Sequence, residues 1–304
     1  MQRVLLLSLR LQRKLFNNNF LARGSSLATF SFLNIVIFSI GGSNLKDFKV
    51  VTSKENSLIK LTSLLQGSSK ARRENGIFVL EGLRICFDAF DNGILFDKLI
   101  ISDTASLKYP DDIEKLSAKA QECYKIPDSL FKKISDTTSP QGIIAIAQMP
   151  CKDFDALDKN GRYIALENIA DPSNLGAVAR TAEALGVSGI ILSAGGCDPY
   201  SPKALRASMG TLLRMPVISF DDFGTELKST GLKTYACVVD SDAKSINDVG
   251  FTDGCVLIIG NEANGITEET KALSDEKITI PMSGRAESLN AAVAASISMW
   301  EMMK

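Results

Sequence analysis

The chain has 304 residues, 45% hydrophobic and 23% charged, a balance that fits roughly two folded domains and excludes disordered, collagen-like and disulfide-scaffold classes. It contains no histidine, which excludes Ser-His-Asp and Cys-His catalysis, zinc ligation by imidazole and any imidazole acid–base step. The net charge of −1 conceals a gradient: residues 1–50 carry seven basic side chains against one acid, residues 51–150 thirteen of each sign, and residues 151–304 fourteen basic against twenty-one acidic.

Residues 1–45 differ from the rest. Arg3, Arg10, Arg13, Lys14 and Arg23 alternate with Leu and Phe, and no acid precedes Asp47. This composition reads as a targeting-like N-terminal extension or a misassigned start. Its apolar stretch Leu27–Ile40 has fourteen residues, short of the ~20 a membrane span needs, so no stable membrane association is expected. Six cysteines, at 86, 123, 151, 197, 237 and 255, include no C-x-x-C spacing. They read as reduced, mostly buried hydrophobes, and no metal site is expected.

From residue 50 the pattern becomes α/β. Ser53 is the expected N-cap of a helix carrying Leu58, Leu61, Leu64 and Leu65 on one face. A basic cluster, Ser68 to Arg73, precedes a strand at Ile77–Leu80; a helix Leu83–Phe90, a strand Leu99–Ile101, further helical stretches and a strand at Gly142–Ala147 follow. Residues 50–150 thus read as a small α/β domain, and the polar stretch Lys152–Asn160 as a linker. A second series over 160–304 has strands at Tyr163–Leu166, Gly189–Leu192, Tyr235–Val239, Val256–Ile259 and Ile278–Ile280, then a helix from Leu289 to Met303. Such apolar runs predict a parallel sheet covered on both faces.

Ligands of parallel α/β folds gather at the carboxyl ends of the strands, and three loops there are rich in special residues. The first, Glu167 to Arg180, contains Asp171-Pro172, Ser173 or Asn174 as a helix cap, Gly176 for a close approach, and Arg180 on the next turn. The second, Gly260 to Thr267, has P-loop glycine spacing but Ile266 at the lysine position and Glu262 where phosphates would lie, which disfavours a nucleotide triphosphate. Thr267 reads as the cap of the next helix. The third runs from Ile280 through Pro281, Gly284 and Ser288 to Asn290 and opens the last helix.

Asn174-x-Gly176-x-x-x-Arg180, Gly260-Asn261-Glu262-x-x-Gly265 and Ile280-Pro281-Met282-x-Gly284-x-x-Glu287-Ser288-Leu289-Asn290 together resemble, in order, the three motifs of the SpoU (TrmH-like) RNA ribose 2′-O-methyltransferases of the SPOUT superfamily. Asp198-Pro199, Lys203 and Arg206-Ala207-Ser208-x-Gly210 resemble the segment between the first two. The likeness spans residues 160–304. More weakly, Ser53–Met149 resembles the ribosomal-protein-like substrate-binding domain that many members carry in front. One departure is Ala291-Ala292, where several members have Val-Ser.

The resemblance implies a C-terminal α/β trefoil-knot domain behind a small RNA-binding α/β domain, and a homodimer with its site across the interface. It implies methyl transfer from S-adenosyl-L-methionine to a ribose 2′-hydroxyl of structured RNA, ribosomal RNA being favoured over transfer RNA. Gly260, Ile280, Leu289, Ile259, Asn261 and Met282 are expected to bind the cofactor. Arg180, Asn174, Glu262, Ser288 and Asn290 are expected to serve the reaction, Arg180 as a fixed positive charge, since a guanidinium stays protonated. Lys54, Lys70, Arg72 and Arg73 are expected to grip RNA phosphates. The expected location is the cytoplasm, or a mitochondrion or plastid if residues 1–45 are a transit peptide. The rival readings are a noncatalytic RNA-binding protein and a nucleotide-binding enzyme of another class.

Overall fold

A computed structural model describes residues 47–150 and 157–304; the extension 1–45 and most of the expected linker lie outside the described residues. The first layer runs β1 (Lys49–Val50), α1 (Ser57–Gly67), α2 (Ser69–Asn75), β2 (Ile77–Glu81), α3 (Leu83–Asp91), β3 (Phe96–Ser102), α4 (Asp103–Lys108), α5 (Pro110–Lys119), β4 (Ala120–Ile126), α6 (Asp128–Ile134) and β5 (Ile143–Gln148). Asn56, not Ser53, caps α1 by accepting a hydrogen bond from the Leu58 N–H. The basic cluster is itself a helix, α2. Ser68 caps it, the left-handed Gly76 ends it, and Ala71 and Arg72 face inward.

The front sheet has the order β1-β4-β3-β5-β2, with β5 antiparallel to both neighbours and the other pairs parallel. Strand β4 escapes a reading by hydrophobicity because Gln121, Glu122 and Lys125 put polar groups along it.

The second layer runs β6 (Arg162–Leu166), α7 (Pro172–Leu185), β7 (Gly189–Ser193), α8 (Pro202–Ala207), α9 (Thr211–Arg214), β8 (Val217–Phe220), α10 (Phe223–Ser229), β9 (Lys233–Cys237), β10 (Lys244–Ser245), β11 (Cys255–Ile259), α11 (Glu268–Leu273), β12 (Glu276–Thr279) and α12 (Ala291–Met302). Its sheet has the order β10-β12-β9-β11-β6-β7-β8, parallel throughout. Strands β7 and β11 are buried at every position, as a sheet covered on both faces requires. The last helix starts at Ala291, later than its apolar pattern suggests, because the Asn290 side chain accepts from the Ala292 and Val293 N–H groups.

One apolar cluster runs from Phe78, Leu80 and Phe96 of the front sheet, through Leu205 and Leu213, to Ile164, Leu192 and Met299 of the second layer. The described residues accordingly form one compact unit. Among them no helix is long and apolar enough to cross a membrane.

Candidate active site

The three special loops meet at the carboxyl ends of β6, β11 and β12. Each enters in its own way. Asp171 caps α7 by accepting from the Ser173 N–H, the role expected of Ser173 or Asn174. That bond, reinforced by the Lys203 ammonium 3.0 Å away, holds the Asp171 carboxyl below the usual range. Gly176 lies against α8 so closely that a Cβ would come within 2.4 Å of the Ala207 Cβ, so only glycine fits there. In the second loop a Cβ on Gly260 would come within 2.1 Å of the Gly265 carbonyl carbon. That turn closes on itself through reciprocal Asn261 and Gly265 backbone bonds.

A polar relay joins the loops. Asn290 Nδ2 donates to Asn174 Oδ1 at 3.1 Å, and Asn174 Nδ2 donates to Glu262 Oε1 at 2.7 Å. The Glu262 carboxylate also accepts from the Ala170 N–H at 3.1 Å and the Asp171 N–H at 3.3 Å. Desolvation pushes its carboxyl upward, but the bonds from Asn174 and from the Glu262, Ala170 and Asp171 backbone outweigh that push and leave it below the ordinary value. Glu262 is thus an anion held by directed donors.

Two neighbours that sequence reasoning missed fix this arrangement. Asn168 sits at φ +54°, a left-handed conformation that asparagine tolerates better than most residues, and its carbonyl accepts from Asn261 Nδ2 at 2.7 Å. Buried Glu167 accepts from the Thr267 N–H and from the Thr267 and Thr270 hydroxyls at 2.6–2.9 Å, pinning the start of α11 to the end of β6. Thr267 caps α11 as its sequence suggests.

Beside the relay lies a cavity of about 560 Å³. Ile259, Gly260, Asn261, Ile280, Met282 and Leu289 all line it, as do Glu262 and Ser288. Val238, Val239 and Asp240 line it too; they follow β9, which lies next to β11 in the sheet. That adjacency is the signal that points to them, and it is absent from the linear sequence.

Ser288 is exposed on the cavity wall and is not the cap of α12. Arg180 is not brought to the cavity. It sits exposed on α7, and no ion pair or hydrogen bond joins it to another described residue. The same helix holds to α12 through Thr181 and Ser296, whose hydroxyls are 3.2 Å apart.

Of the four cations expected to contact RNA, Lys54, Lys70 and Arg73 are exposed, with Lys70 3.7 Å from Glu74. Arg72 is not available. Its side chain is 4% exposed, and Nε donates to Asp198 Oδ2 at 2.6 Å. Another guanidinium nitrogen donates to the Leu65 and Gln66 carbonyls. The expectation fails for Arg72 because α2 turns that position inward.

Comparison with known proteins gives a consistent outcome. Residues 161–300 match the model of the SpoU rRNA Methylase family, and residues 56–145 match the MRM3-like substrate binding domain. A Bacillus subtilis protein, "23S rRNA (guanosine(2553)-2'-O)-methyltransferase RlmP", is 28% identical over 256 residues, covering 84% of this chain and 99% of that protein. A Staphylococcus saprophyticus "Putative TrmH family tRNA/rRNA methyltransferase" is 30% identical over 238 residues, covering 74% and 95%. The solved structure of an AdoMet-bound rRNA methyltransferase from Sinorhizobium meliloti superposes with a TM-score of 0.74 at 28% identity, covering 84% of this chain and 97% of that one.

Proposed function

The chain belongs to the SpoU (TrmH) family of RNA methyltransferases, and from that membership we propose that it methylates a ribose 2′-hydroxyl in ribosomal RNA with S-adenosylmethionine as donor. The observation that carries this reading is the Asn290–Asn174–Glu262 relay at the rim of the cavity. Ribosomal RNA is favoured because both the matched family and the Bacillus subtilis relative carry that substrate in their descriptions.

The residues present fit the cofactor. The cavity lies within the ~300–1,000 Å³ usual for small-molecule sites. Its wall combines apolar Ile259, Ile280, Met282 and Leu289 with the carboxylates Asp240, Glu262, Glu268 and Glu287 and the ammonium groups of Lys271 and Lys277, which suits a ligand with apolar edges and groups of both charges. When bound, S-adenosylmethionine supplies a methyl group activated by its sulfonium. The chain's own task is then alignment, worth several kcal/mol of the barrier, and stabilisation of the 2′-oxygen as its proton passes to solvent water. The relay holds Glu262 and Asn174 in fixed geometry toward the acceptor. Arg180 supplies a permanent positive charge for the developing alkoxide.

Arg180 reaches that position from a second copy of the chain. Two features support a homodimer: Arg180 is exposed and does not line its own chain's cavity, and Val293, Ile297 and Trp300 form an exposed stripe on α12 that faces one way at helical spacing. The sheet order supports the family's trefoil knot. The chain leaves β11, crosses β9 to β12 and returns as α12 against α7. Residues 50–150 hold RNA in this reading, and 160–304 carry the transfer. The site of action is cytoplasmic, with organellar import the alternative that the basic residues 1–45 favour.

Incorporation of labelled methyl from S-adenosylmethionine into ribosomal and transfer RNA transcripts tests the reading. Labelling of ribosomal RNA is expected; labelling of transfer RNA alone would reverse the substrate assignment.

A further inference from the structure

The front and second layers are joined by ion pairs as well as by apolar packing. Arg206 lies 2.7 Å from Asp136, and Arg214 lies 3.7 Å from Asp88; both are partly solvated, and exposed pairs contribute little. The Arg72–Asp198 pair differs. Its side chains are 4% and 9% exposed, a burial at which each charge depends on the other.

What each partner touches gives the pair its meaning. On the front side, Arg72 also ties down the Leu65 and Gln66 carbonyls at the end of α1. On the other side, Asp198 belongs to the loop that follows β7. Its second oxygen accepts from the Tyr200 N–H at 2.8 Å, and the Tyr200 ring lies 4.8 Å from that of Phe78 on β2. The preceding residue, Cys197, donates its N–H to the Ile169 carbonyl at 2.8 Å. Ile169 adjoins Ala170 and Asp171, whose N–H groups hold Glu262. An unbroken run of bonds therefore connects the front layer to the relay.

We propose that Arg72 and Asp198 are a positioning pair for the methyl transfer: they fix the front layer to the loop that holds the relay, so that RNA gripped in front presents one ribose to that site. The inference rests on the function proposed above. Arg72 acts through Asp198 and the Cys197–Ile169 bond, and it touches no phosphate.

The test uses the full-length protein. Arg72→Leu or Asp198→Leu alone strands a buried charge, whereas R72L/D198L removes both charges and keeps apolar volume, which folded proteins commonly tolerate. R72Q/D198N, which also removes both charges but keeps a hydrogen-bonding side chain at each position, is the second variant if R72L/D198L folds poorly. For either variant, S-adenosylhomocysteine affinity should stay within about twofold and methyl transfer to ribosomal RNA should slow by about tenfold, the scale of a small misplacement. The salt dependence of RNA binding should equal that of the wild type.

Full activity in a folded R72L/D198L protein would reduce the pair to a structural contact and overturn the proposal. A salt slope lowered by about 0.7–0.9 would make Arg72 a phosphate ligand and overturn it as well. Wild-type protein that methylates no RNA would instead refute the function on which the inference stands.

Discussion

Asn290 and Asn174, 116 positions apart in the chain, meet side chain to side chain at 3.1 Å, and each has a second duty. Asn290 caps the last helix, while Asn174 passes the contact on to Glu262. The start of α12 is thereby registered against the start of α7. Asn174→Ala removes the hydrogen bonds to Asn290 and Glu262, and because both of those side chains reach solvent the loss is that of ordinary hydrogen bonds, about 0.5–1.5 kcal/mol each. The variant should melt lower in calorimetry and transfer methyl more slowly. Its affinity for S-adenosylhomocysteine, measured by titration calorimetry, should change little, because Asn174 does not line the cavity.

Arg180 is exposed and does not line the cavity, so Arg180→Ala should leave folding and cofactor affinity intact. Removing a charge aimed at a developing oxyanion costs about 10²–10³ in rate. Mixing this variant with Asn174→Ala should restore part of the activity, because in the proposed homodimer a mixed pair would rebuild one complete site. No recovery on mixing would place Arg180 in its own subunit's site.

Lys70 and Arg73 remain exposed where Arg72 is not. Replacing the two with Gln should lower the slope of log binding constant against log salt by about 0.7–0.9 for each lost phosphate contact. Cofactor binding should be untouched. An unchanged slope would move the RNA path to another surface.

Glu122 gives a pH signature for the front sheet. Hydrogen bonds from Lys49 and Lys98, then Tyr124, hold its carboxyl down at about 2, against an ordinary 4.5. A depressed folded value means that its contribution is present above the unfolded value and is lost as pH falls through the folded one. The melting-temperature gap between wild type and Glu122→Gln should therefore be constant above about pH 4.5 and close toward pH 2. A gap that widens with acid would contradict the assignment.

The three loops were legible because each follows an apolar run and concentrates Gly, Asn and Pro at points where a parallel sheet exposes its ligand edge. Arg72 was not. Adjacent helical positions lie about 100° apart, so a basic run on a helix cannot place all its charges outside, and the direction of the turn depends on what α2 packs against. Glu167 was hidden for another reason: its partners Thr267 and Thr270 lie 100 and 103 residues away. Val239 and Asp240 belong to the cavity only because β9 pairs with β11, and strand order is not written in a single strand's sequence.

The most direct measurement is to digest ribosomal RNA methylated by the purified protein with S-adenosylmethionine to nucleosides and identify the product by mass spectrometry. A 2′-O-methylnucleoside is expected, formed by wild type and lost in Arg180→Ala. A base-methylated nucleoside, or none under conditions where S-adenosylhomocysteine binds, would contradict ribose methylation by this site.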